Sequence, residues 1–185
     1  MLHVFSARRL ACALAVLTLV MFILLQGRPW FTNASRPPRF GDSQLALQFV
    51  RSVEEVDWIL GDAPSPDREV MRIKQYLDYG FIASYTALLL TCSALVFRRG
   101  GWRQAAGIAA GICAIATGIF DVVENRAILS LLDVPLRATT PAMLNAIRNA
   151  SGIKWTLAAI ALIFLLAGFL PLRLRRISAS ITIKP

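Results

Sequence analysis

The chain has 185 residues, of which 56% are apolar, with a mean hydropathy of +0.58 and a net charge of +9. This composition excludes an ordinary soluble domain and the length excludes more than one membrane bundle, so one domain over residues 1–185 is expected. The basic excess would suit nucleic acid, but nine residues account for it: Arg8, Arg9, Arg98, Arg99, Arg103, Arg173, Arg175, Arg176 and Lys184. These flank the apolar stretches on one side, and the other eleven basic residues are matched by eleven acidic ones.

Four apolar stretches, 10–25, 78–97, 102–123 and 152–171, are expected to cross the membrane, three of them near the ~20 residues that ~30 Å of hydrocarbon requires. The first is shorter. It follows Arg8 and Arg9, as the core of a signal peptide would, but Leu24-Leu25-Gln26-Gly27 offers no small-x-small cleavage pattern, so a retained anchor is expected. The positive-inside rule then sets the N-terminus, the 98–103 turn and the C-terminal tail in the cytoplasm. Connections 27–77 and 125–151 face outward, and no nucleic-acid partner is needed.

After the first span, residues 27–41 contain Pro29, Pro37 and Pro38 and read as a linker. Residues 45–50 read as a short strand or helix start. Ser52-Val-Glu-Glu55 has the form of a capping box opening an amphipathic turn, on which Trp58 suits the headgroup region. Gly61 to Pro66 breaks the chain, and Asp67 is expected to cap a helix running into the second span. This outward stretch, 27–77, is long for a passive turn, so a cap roofing the bundle is expected, with a simple interfacial anchor as the alternative. Further on, Thr140 followed by Pro141 marks another helix start. Beyond Pro171 the tail is basic.

Cys12, Cys92 and Cys113 fall singly on different spans and His3 is the sole histidine. No dithiol motif, zinc site, haem ligation or di-iron centre fits, which disfavours quinone-linked thiol oxidases and membrane di-iron enzymes. No metal or cofactor is expected.

The informative residues are polar. In the third span Gly107, Gly111, Ala114, Gly118, Asp121 and Asn125 step by three or four, so a stripe of small residues leads to an acid and an amide on one helix face. Glu124 lies three residues beyond Asp121. Lys154, Ala158, Ala161, Leu165 and Gly168 make a similar stripe in the fourth span. Asp78, Ile82 and Tyr85, with Phe81 beside them, do so in the second. Topology brings Asp78, Asp121, Glu124, Asn125 and Lys154 to the same leaflet. An ionisable group at membrane depth costs roughly 2.5–3.5 kcal/mol on insertion scales, so a buried polar site is expected there.

The elements L-D-x-x-F-x-x-x-Y (Leu77-Asp78 to Tyr85), D-x-x-E-N (Asp121 to Asn125) and the late Lys154, with Ser52-Val-Glu-Glu-Val56 before the second span, resemble a group of bacterial four-span membrane proteins. The resemblance covers most of the chain after Phe49. It implies a four-helix fold in a bacterial inner membrane and supplies no reaction. Small multidrug exporters need an acid in the first span, which residues 10–25 lack, and the motif of sterol-isomerase-like membrane proteins is not matched.

The expectation is an all-α, four-helix transmembrane bundle with an outward amphipathic cap between helices 1 and 2. Its pocket would bind, or act on by acid/base chemistry, a lipid-like or isoprenoid amphiphile. Asp121, Glu124 and Lys154 are the candidate catalytic groups, and Asp78, Phe81, Tyr85 and Asn125 the candidate ligand contacts. An accessory subunit whose acid–lysine cluster only fixes assembly, and a proton-coupled small-molecule carrier, stay open. So does a homodimer through the small-residue face of the third span.

Overall fold

The structure, a computed structural model, describes residues 2–26 and 43–170, with side chains from Ser6 onward. The expected linker at 27–41 and the basic tail beyond Pro171 lie outside the described residues. Among the described residues six α-helices follow one another: α1 Leu2–Gln26, α2 Ser43–Gln48, α3 Val53–Leu60, α4 Pro66–Phe97, α5 Trp102–Leu132 and α6 Pro141–Phe169, with a 3₁₀ turn at Leu136–Ala138 before the last. The fold is all-α, and α1, α4, α5 and α6 are each long and apolar enough to cross a membrane.

Three of the spans exceed the expected boundaries. α4 has 32 residues, α5 31 and α6 29. At 1.5 Å per residue α4 reaches about 48 Å, well beyond the hydrocarbon thickness. Nothing within 66–77, 124–132 or 141–151 breaks a helix, since the prolines sit at first-turn positions; the change from apolar to mixed sequence marks where lipid contact ends. α1 likewise runs for 25 residues rather than sixteen, because no breaker precedes Gly27.

The ends follow local chemistry. Ser65, not Asp67, caps α4: Pro66 takes the first helical position, where its missing N–H costs nothing, and the hydroxyl just before it accepts from the Arg68 amide. Asp67 instead adds negative charge to the first turn. Ser52 accepts from the Glu55 amide as expected, and the Glu55 carboxylate reaches back to the Arg51 amide at 2.8 Å. Thr140 caps α6. Gly100 and Gly101, at φ 72° and 60°, make the turn between α4 and α5 in a region that disfavours other residues.

The extensions of α4, α5 and α6 do not stand bare. With α2 and α3 they enclose a cap core of Leu47, Val56, Leu60, Met71, Ile128, Leu131 and Ile147, among others. Trp58, partly buried, packs against this core, because α3 lies on the cap with its apolar side inward. Arg68 is buried beneath it at 2% exposure. Its guanidinium donates to the carbonyls of Gly61, Leu131, Leu132 and Val134, satisfying the free C-terminal carbonyls of α5. At the opposite end Arg99 and Arg103 do the same for α6, donating to Gly168, Phe169 and Leu170.

In the bundle α5 packs between α4 and α6, and α1 lies against α4. Gly107 fits this contact because a Cβ there would stand 2.6 Å from the Phe97 amide nitrogen. A second, small core of Val96, Ala106, Ala110 and Leu165 closes the end near the Gly100 turn. From Leu10 to Leu25 α1 carries no charged residue, and Leu10, Val16, Leu19, Phe22 and Ile23 remain exposed, as a lipid-facing helix requires.

Candidate functional site

Between the two cores lies a polar layer. On α4 Asp78 falls between Met71 of the cap core and Val96 of the lower core. On α5 Asp121 and Glu124 fall between Ile128 and Ala110, and on α6 Lys154 falls between Ile147 and Leu165. Each helix supplies these groups because the inward face repeats every three to four residues, so the stripe that packs also carries the charge.

The expected cluster is assembled. Lys154 Nζ donates to Asp121 Oδ1 at 2.6 Å and to Glu124 Oε1 at 2.9 Å, forming a buried ion triad between α5 and α6. Tyr85 Oη donates to the other Asp121 oxygen at 2.8 Å, which ties in α4. Asn125 Nδ2 donates to Asp78 Oδ2 at 2.8 Å. Glu124 and Asn125 are fully buried, and Asp78, Asp121 and Lys154 expose 5 or 6%. The Ser151 hydroxyl stands beside Glu124 while donating to the Ile147 carbonyl. Arg126, two residues beyond Glu124, is exposed, and Lys154 is the cation that pairs with Glu124.

The cluster opens into a cavity of about 420 Å³, a size usual for small-molecule sites. Asp78, Asp121, Lys154 and Tyr85 reach it; Glu124 and Asn125 stand behind them, outside its lining. Away from the acids the walls are apolar: Phe81 and Leu89 from α4, Phe22 and Leu25 from α1, Ala158 and Leu162 from α6. Phe81 stacks at 5.3 Å from Tyr85 and 6.1 Å from Phe22, so a continuous aromatic wall joins α1 to α4. Phe22 and Leu162, at 48% and 50% exposure, face both the cavity and the bundle's outer surface. A shallower groove between α4 and α5 is apolar and touches no member of the cluster.

Several lining residues are additions to the sequence expectation. Thr117 stands one turn before Asp121, a spacing that could have revealed it. α2 forms the roof with Gln44, Leu45 and Gln48, and Gln48 accepts from Trp155 Nε1 at 3.1 Å, joining roof to wall. No local signal marks that bond, which spans more than a hundred residues. The roof is α2 and the end of α1; α3, also part of the expected outward cap, packs instead on the cap core.

With two carboxylates sharing one ammonium and a third acid held only by an amide, the site offers hydrogen-bond acceptors in excess of donors. It can hold a polar head against ionised groups, orient it through Tyr85, and take or give a proton at Asp121 or Asp78. No family model, curated protein or solved structure matches this chain.

Proposed function

We propose that this membrane protein binds a lipid-like or isoprenoid amphiphile that enters from the side of the bundle and sets its polar head among Asp78, Asp121 and Lys154. The observation that carries the reading is the cavity itself: acids and ammonium at one end, apolar walls at the other, and lipid-facing Phe22 and Leu162 at its margin. From Lys154 to Leu162, α6 lines about 12 Å, the length of a medium acyl or prenyl chain segment. Acid/base chemistry fits the same geometry. Asp121, fixed by Lys154 and Tyr85, is the group placed to exchange a proton with the head, and Glu124 holds Lys154 from behind.

On the same reading the chain is one of the bacterial four-span proteins it resembles and sits in an inner membrane, and the basic flanks support cytoplasmic termini. The support is that seven of the eight residues the motif fixes, all but Leu77, fall in one cluster or on its aromatic wall. Native mass spectrometry of the purified chain tests the pocket: a retained amphiphile is expected, and Ala158→Phe, which fills the apolar end, is expected to expel it without loss of folding. An empty wild-type protein that retains none of a range of added amphiphiles would remove the reading. An accessory-subunit role is favoured instead if substitutions at Asp121 and Lys154 reduce assembly in step with every other readout.

A further inference from the structure

We infer that the head group this pocket selects is cationic, an ammonium-bearing amphiphile rather than a phosphate or other anion; the inference rests on the pocket reading above and specifies its ligand. Asp78 carries the argument. Its carboxylate is 95% buried, lines the cavity, and accepts from the neutral Asn125 amide, with no ion pair among the described residues. The charged groups acting on it are Asp121 and Glu124, which repel it, and Lys154, which attracts it. That one attraction is already divided between two other carboxylates at 2.6 and 2.9 Å. A buried carboxyl in this state is neutralised either by a proton or by a counter-charge, and a positive guest in the cavity takes the proton's place.

The surroundings agree on the same class. Phe81 and Tyr85 follow Asp78 at three and seven residues on one face of α4, and their rings, with Phe22, form an aromatic wall beside the acid. Aromatic faces next to carboxylates are the usual means of holding ammonium groups, because ring quadrupoles attract a cation without demanding hydrogen bonds. A phosphate head would instead confront the two carboxylates of the lining, Asp78 and Asp121, with Glu124 behind them. Its only cationic partner on the cavity lining among the described residues is Lys154, which it would have to take from Asp121 and Glu124.

The test uses the full chain in maltoside micelles with three probes of equal chain length added together: dodecyltrimethylammonium, dodecyl phosphate and dodecyl glucoside. Native mass spectrometry reads which is retained. Wild type is expected to retain the ammonium probe over the phosphate by about tenfold. Asp78→Asn is expected to erase that preference, and Phe81→Leu to reduce it. The wild-type ratio decides the matter even if a variant fails to fold. Equal or preferential retention of phosphate or glucoside overturns the cationic assignment and leaves the pocket standing. Retention of none of the three above the Ala158→Phe level overturns both.

Discussion

Lys154 reaches two carboxylates from a site 94% buried, so its loss strands both. Lys154→Met is expected to destabilise the bundle by about 3–5 kcal/mol, the usual cost of leaving buried charge unpaired. Joining it to Asp121→Asn and Glu124→Gln should recover most of that loss, because the unpaired charges disappear with their partner. Unfolding in mixed-detergent micelles measures both, and a Lys154→Met protein as stable as wild type would refute the triad. Tyr85→Phe removes one hydroxyl from Asp121 and is expected to cost about 1 kcal/mol or less, the range of single bonds inside membrane proteins. The identities of these residues were legible in the sequence, since acids, an amide and a lysine at helical spacing on apolar spans have few bland explanations. Arg68 was not: its four carbonyl partners lie at positions 61 and 131–134, and nothing in its neighbourhood distinguishes it from the surface arginines nearby.

Among the elements, α4 and α5 approach closely at Gly107 and less so at Gly111. A Cβ at 107 would meet backbone at 2.6 Å, whereas one at 111 would meet the Ser93 side chain at 3.7 Å. Gly107→Ala is therefore expected to cost about 1–3 kcal/mol by forcing the helices apart, and Gly111→Ala to be tolerated. Gly152, in the interior of α6 with nothing within 4 Å of its Cβ position, is expected to stabilise by about 0.5–1 kcal/mol when changed to Ala. The cap has its own acid sensitivity. Asp62 accepts from the Leu136 and Ala63 amides, and these bonds hold its carboxyl below the ordinary value of 3.8. A lowered folded-state value means that its contribution is complete above the ordinary range and is lost as pH falls through the folded value. Hydrogen exchange should show the 61–64 and 134–138 segments loosening first in acid, with the membrane helices unaffected. The spans, the cap of α3 at Ser52 and that of α6 at Thr140 were legible because periodicity and capping are local. The cap core was hidden, because α4, α5 and α6 pass from lipid to cap without a break and only α2 and α3, far off in sequence, reveal that their outer turns are covered.

At the scale of the whole molecule, the charge distribution predicts orientation. Single cysteines placed in the 98–103 turn of a cysteine-free variant are expected to react with membrane-impermeant reagents only after the cytoplasmic side is opened, and cysteines at 62 or 137 without opening. The reverse pattern would invert the assignment. It would also turn the cavity's polar end, which lies toward the cap, to the other leaflet.

One feature of the architecture, the single-sided attachment of α1, bears on selectivity. The acids stand on α4 and α5, both braced by the cap and the neighbouring helices, while part of the hydrocarbon wall belongs to a helix held chiefly through α4. If the proposed amphiphile binds here, a recognition end on braced helices beside a wall held from one side would discriminate between heads more strictly than between tails. Guests differing by several methylenes should thus be accepted almost alike, and those differing by one unit of charge should not.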